Sequence, residues 1–157
     1  MKLLIKQRIF SWLDSYDIYN EAGETVYTVK GELALGHSFK VLDNMGNEVG
    51  QIKQVLLTFL PKFEIYIGGR CVGDISKELT FLKPKFKIDF NGWRVMGDVF
   101  EFEYRVTDSA GGLVASIYKE IFKMSDTYVI NVEDPNNVLS ALMLVLAIDA
   151  EKCSRKD

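Results

Sequence analysis

Histidine occurs once in this sequence, at His37, and cysteine twice, at Cys71 and Cys153. A Ser–His–Asp or Cys–His set cannot be assembled with any specificity from such a supply. A zinc site needs more ligands than one His and two distant Cys offer. The two cysteines have no metal-ligand spacing and read as the reduced thiols of a cytosolic protein. Neither the Walker A pattern nor the dinucleotide glycine pattern is present. Apolar runs are short: none approaches the roughly 18 residues of a transmembrane helix. The opening Met1-Lys2-Leu3-Leu4-Ile5-Lys6-Gln7-Arg8 starts like a signal peptide, but Lys6 and Arg8 interrupt it too soon for an apolar core segment. The expected location is therefore the cytoplasm. Positive charge is also lacking. A net charge of −3 gives no global field to attract nucleic acid.

The 157 residues suit one domain, and 48% hydrophobic with 26% charged residues is a globular composition. Ten Phe and seven Tyr favour strands. The most informative feature is periodic: Gly23, Gly46, Gly69 and Gly92 stand 23 residues apart, and Gly111-Gly112 follows slightly early. Each lies among Asn, Asp and Gly residues, as in Asn20-Glu21-Ala22-Gly23, Asp43-Asn44-Met45-Gly46 and Asn91-Gly92. Those residue types tolerate the positive φ that tight hairpins require.

Strand-like runs flank every turn. In Glu101-Phe102-Glu103-Tyr104-Arg105-Val106 the apolar residues alternate with charged ones, as on a half-buried strand. Pro61 to Gly69 aligns with Pro84 to Gly92, and Gly73-Asp74-Ile75 with Gly97-Asp98-Val99. Asp74 and Asp98 so occupy equivalent positions, which argues for a turn or bulge role in place of acid–base catalysis. Residues 1–133 thus read as a meander of about five hairpins after an N-terminal strand. A solenoid is the rival reading, but one-sided hairpins can close into a barrel that leaves no open edge.

The end of the chain differs. Val138 to Ala150 is rich in Leu, Ala and Met, and Asp134-Pro135 supplies a cap and a first-turn proline. A helix over 136–151 is predicted, with Lys152 and Arg155 near its C-terminal end. It is apolar on nearly every face and must be buried. Its length of roughly 24 Å falls short of the roughly 30 Å hydrocarbon thickness, so a barrel interior suits it better than a bilayer. The fold class is mainly β with one helix: a closed antiparallel barrel around a central apolar C-terminal helix.

A hairpin meander ending in an apolar helix with the run Leu146-Ala147-Ile148-Asp149-Ala150 resembles the LURP-one-related proteins, which are similar to the tubby C-terminal domain and the phospholipid scramblases. The resemblance covers essentially the whole chain. It implies a barrel of about twelve strands around the helix, and a function at lipid or membrane surfaces. No phosphoinositide-site motif maps onto this sequence residue by residue.

The remaining feature is local charge. Lys83, Lys85 and Lys87 alternate along one strand, and Lys62 stands at the position equivalent to Lys85. Such a strip could touch anionic headgroups; the competing reading is a solvated strand face. The expected function is a non-enzymatic barrel that binds anionic lipid or a membrane surface, with no catalytic residue, metal or cofactor. The alternatives are a protein-interaction module anchored by exposed Trp12, Trp93 or Tyr66, and a small-molecule carrier, which a helix-filled lumen disfavours.

Overall fold

The structure is a computed structural model that describes residues 1–6, 15–78, 85–121 and 126–154, with backbone only at 33, 85, 121, 126 and 153. Twelve strands run in chain order: β1 (Lys2–Ile5), β2 (Ser15–Tyr19), β3 (Thr25–Ala34), β4 (Gly36–Asp43), β5 (Glu48–Gln54) and β6 (Lys62–Ile67), then β7 (Arg70–Glu78), β8 (Lys85–Phe90), β9 (Arg94–Asp98), β10 (Glu103–Thr107), β11 (Leu113–Ile121) and β12 (Asp126–Val132). They form one antiparallel sheet in the order β8-β7-β6-β5-β4-β3-β2-β1-β12-β11-β10-β9. The two chain ends of the meander meet in register through Leu3↔Ile130 and Ile5↔Tyr128, which curls the sheet into a nearly closed barrel.

One turn is used three times, at Gly23, Gly46 and Gly111, while Gly69 and Gly92 belong to shorter turns. Asn20, Asp43 and Asp108 each accept, through Oδ1, the N–H groups two and four residues on, at 2.8–3.0 Å. In each, the glycine three residues on donates its N–H to the carbonyl of that same Asn or Asp. Gly46 sits at φ +84°, a conformation that costs an L side chain strain. The register shifts beside all three turns, at Ile18/Tyr19, Val41/Leu42 and Val106/Thr107, as hairpins of this loop type require.

Alternation puts Phe39, Val41, Ile52, Phe63, Ile65, Ile75, Tyr104 and Val106 inside. They surround the helix α1 (Val138–Cys153), in which every residue from Ala141 to Ile148 is buried. Asp134 accepts the N–H of Asn136 at 2.9 Å and so caps a single 3-10 turn, Pro135–Asn137, that leads into α1. The cap therefore acts one short turn ahead of the α-helix proper. At roughly 1.5–3 kcal/mol for each large apolar side chain, the helix is the largest single block of core stabilisation. Gly50 makes room for it: a Cβ there would lie 2.5 Å from Met143 Sδ.

Asn91-Gly92 turns as its sequence requires, with the N–H of Trp93 donating to the Phe90 carbonyl at 3.0 Å. The strands that it joins then part. β8 stays with β7 and β9 with β10, and among the described residues no ladder links β8 to β9. Among the described residues the barrel has one seam, and it lies at the strongest short hairpin signal in the chain.

Candidate functional site

Because the meander is antiparallel, its connections alternate between two ends of the barrel. The glycine turns and the entry to α1 occupy one end. The other end carries the connections 34–36, 55–61 and 99–102. The two ends differ in chemistry. At the second end Leu35 is 90% exposed, Leu57 106% and Phe59 94%, with Leu56 also on the surface.

Leu35 and Leu57 belong to loops that adjoin. A Cβ on Gly36 would stand 2.7 Å from Leu56 Cδ2, and Gln54 Oε1 accepts the N–H of His37 at 3.0 Å. The longer loop is closed at its base by Val55 N–H donating to the Lys62 carbonyl at 2.9 Å, and internally by Thr58 Oγ1 donating to the Val55 carbonyl at 3.2 Å. Leu57 holds φ +61° at its tip, an unfavourable region for a bulky side chain. Single exposed apolar residues are ordinary on protein surfaces, but side chains this bare on adjoining loops form a patch. Sequence reasoning passed over these residues, because nothing in Val55-Leu56-Leu57 separates a loop tip from a core strand.

Of the predicted lysine strip, Lys83 lies outside the described residues. Lys85 and Lys87 stand two residues apart on β8. Register places Lys62, Ser76 and Lys87 in one cross-strand row, and Glu64, Asp74 and Asp89 in the next. Lys62 Nζ is 3.1 Å from Asp74 Oδ2. The strip is thus bordered by carboxylates, and its field is partly cancelled where it stands. Asp74 and Asp98, equivalent in sequence, do different work: Asp98 accepts the N–H groups of Phe100 and Glu101 at 2.9 and 3.1 Å.

The proposed aromatic anchors need correction. Trp93 is only 7% exposed and packs edge-on to Phe90 with ring centres 5.5 Å apart. Its ring sits within the fork between β8 and β9, an apolar space that a surface reading of Asn91-Gly92-Trp93 overlooks. Tyr66 is half-buried, donates its hydroxyl to Glu64 at 2.8 Å and lies under Lys53. Trp12 is outside the described residues.

A cleft of about 920 Å³ follows the seam, walled by Phe86, Ile88, Trp93, Val95, Val99 and Phe100. Beside it, at the C-terminal end of α1, lies a buried polar group. Lys152 Nζ donates to the Val99 carbonyl at 2.8 Å, lies 3.6 Å from the centre of the Phe102 ring, and stands 3.6 Å from Asp149 Oδ1. Burial raises the Asp149 carboxyl to about 6 against the pull of Lys152. Burial, then the charge of Asp149, holds the Tyr104 phenol well above its ordinary value. This set ties the helix end to the 99–102 connection. Among the described residues there is no cluster of three or more His, Cys, Asp or Glu able to hold a metal, and no helix is long and apolar enough to cross a membrane.

The sequence profile of the LURP-one-related proteins matches residues 1–149. The chain belongs to the LURP-one-related family. An uncharacterized protein of Bacillus subtilis (strain 168), YxjI, is 31% identical over 150 residues, which is 95% of this chain and 92% of that one. An X-ray structure of an Arabidopsis thaliana protein superposes with a TM-score of 0.64 at 17% identity, over 94% of this chain and 89% of that one. At that identity the likeness speaks for the fold alone. LURP-one-related membership thus covers the strands, the seam and all but the last turn of the helix.

Proposed function

We propose that this LURP-one-related barrel is a non-enzymatic module that docks on a membrane surface through its loop-bearing end. The observation that carries the reading is the exposure of Leu35, Leu57 and Phe59 on adjoining loops. Each large apolar side chain transferred out of water contributes roughly 1.5–3 kcal/mol, whereas a lysine near an anionic surface contributes about 1 kcal/mol. Lys62 opens β6 at the same end, and Lys85 opens β8 there too. Lys62 is already paired with Asp74, so apolar insertion dominates and the lysine strip (Lys62, Lys83, Lys85, Lys87) adds a secondary preference for anionic headgroups.

Vesicle sedimentation tests this. The unaltered protein should pellet with phosphatidylcholine vesicles, and somewhat more with vesicles that include phosphatidylserine. Leu57→Asp combined with Phe59→Asp should lower that affinity at least about tenfold, since two apolar side chains are lost, while the melting temperature holds. Failure of the unaltered protein to pellet with either vesicle at low salt would end this reading.

A further inference from the structure

We propose that the seam between β8 and β9 is a binding site for a single linear acyl chain. The walls of the cleft are the inward faces of two strands that elsewhere in the barrel would be covered. Phe86, Ile88 and Val95 are only half-buried, although their strand positions point toward the core. Val99 and Trp93 close the floor with little exposure. The volume, about 920 Å³, lies within the range of small-molecule sites, which are concave, mostly apolar and edged by a few polar groups. Here those polar groups are Lys87 and Arg94, opposed by Glu78 and Asp98.

The shape of the fork selects the occupant. β8 and β9 are joined by three residues, Asn91, Gly92 and Trp93, and the bond from the Trp93 N–H to the Phe90 carbonyl holds them together there. With no ladder between them among the described residues, the gap opens away from that turn, toward the 99–102 connection. A thirteenth strand could not lie along both edges of such a wedge. It would also run parallel to one of them, because β8 and β9 point in opposite directions, and parallel pairing is the weaker kind. A flexible hydrocarbon needs no backbone partner and narrows with the site. Its polar head would remain in water at the wide mouth, beside Glu78 and Asp98, whereas Arg94 stands next to the turn at the narrow end. The site is distinct from the exposed loop tips, and a ligand below its aggregation concentration probes it without any membrane.

Trp93 reports on the site directly. The chain holds two tryptophans, and Trp12→Phe leaves Trp93 alone. Dibromostearate, whose bromines quench only nearby indoles, should quench Trp93 saturably. Unbrominated oleate should restore the emission, and lysophosphatidylcholine should do so too if the head is not discriminated. Native mass spectrometry of the unaltered chain should show one oleate per molecule. Val95→Gln, which keeps the volume but wets the wall, should weaken binding about tenfold. Linear quenching without saturation, several chains per molecule, or undiminished binding in a folded Val95→Gln protein would overturn the proposal. So would displacement of the quencher by an extended apolar peptide but not by oleate. If Val95→Gln fails to fold, the competition and the adduct stoichiometry decide alone. Vesicle docking and acyl uptake fail separately, since Leu57→Asp should leave the quenching intact.

Discussion

Asp149 and Lys152 meet inside the barrel, one helical turn apart, with Oδ1 and Nζ separated by 3.6 Å. The same ammonium group donates to the Val99 carbonyl, so the helix end and the rim of the seam share one cation. The pair is too long to be a strong hydrogen bond, and burial dominates the titration of the carboxyl.

That titration sets a pH dependence. Asp149 is raised from its ordinary 3.8 to about 6 in the folded protein. Between those values the folded state keeps a proton that the unfolded state has released, so this contribution is complete below about 3.8 and is lost as pH rises through about 6. The scale is roughly 3 kcal/mol, from about 1.4 kcal/mol per pH unit. In urea denaturation, unaltered protein should therefore lose stability relative to Asp149→Asn by about that amount from pH 4 to pH 7. A difference that stays flat, or that widens in the other direction, would show that burial does not control this group.

Two glycines should respond unequally to alanine. At Gly73 a Cβ would fall 2.2 Å from the Asp89 carbonyl oxygen and 3.0 Å from Phe90 Cα, and backbone cannot step aside without parting β7 from β8. At Gly50 the nearest atoms are Sδ and Cε of Met143, the flexible end of a side chain. Gly73→Ala should cost about 1–3 kcal/mol, and Gly50→Ala clearly less. Chemical denaturation of the two proteins side by side checks the order.

Leu57→Gly should move stability and binding in opposite directions. The left-handed conformation costs a leucine roughly 1–2 kcal/mol, and glycine offsets part of that gain through its freer unfolded chain. The expected net is a stabilisation of about 0.5–1 kcal/mol with weaker pelleting on vesicles. A destabilised variant would mean that the leucine side chain is held by contacts within the barrel.

The Lys62–Asp74 pair predicts a charge effect with little structural cost. Both side chains are partly exposed, so breaking the pair should change stability by under about 1 kcal/mol. Asp74→Asn releases Lys62 and removes one repelling carboxylate. Affinity for phosphatidylserine vesicles at low salt should rise about fivefold, equivalent to roughly 1 kcal/mol, while affinity for neutral vesicles stays put. An equal rise on both vesicle types would detach the lysine row from headgroup contact.

Local features were legible because their causes are local. Asn20, Asp43 and Asp108 make their turns with atoms at most four residues away, and Tyr104 and Val106 face inward as their alternation requires, whereas Phe102 is buried from the turn ahead of β10, at φ +58°. β12 was the strand that turn spacing did not reveal. Its partners are β1, at the opposite end of the chain, and β11, across the connection 122–125. The loop tips were equally silent, since an apolar residue carries no mark of being left outside.

By itself, the sequence determined the strand and turn grammar and the need to wrap the helix from Val138 onward. A period of alternating residues and a segment apolar on every side each admit one outcome in water. Only the tertiary structure decided where the ring fails to close, which lysine is neutralised, and which leucines are bare. Those depend on register summed over twelve strands and on the bulk enclosed by the barrel. Such quantities belong to the assembled sheet and to no single stretch of chain.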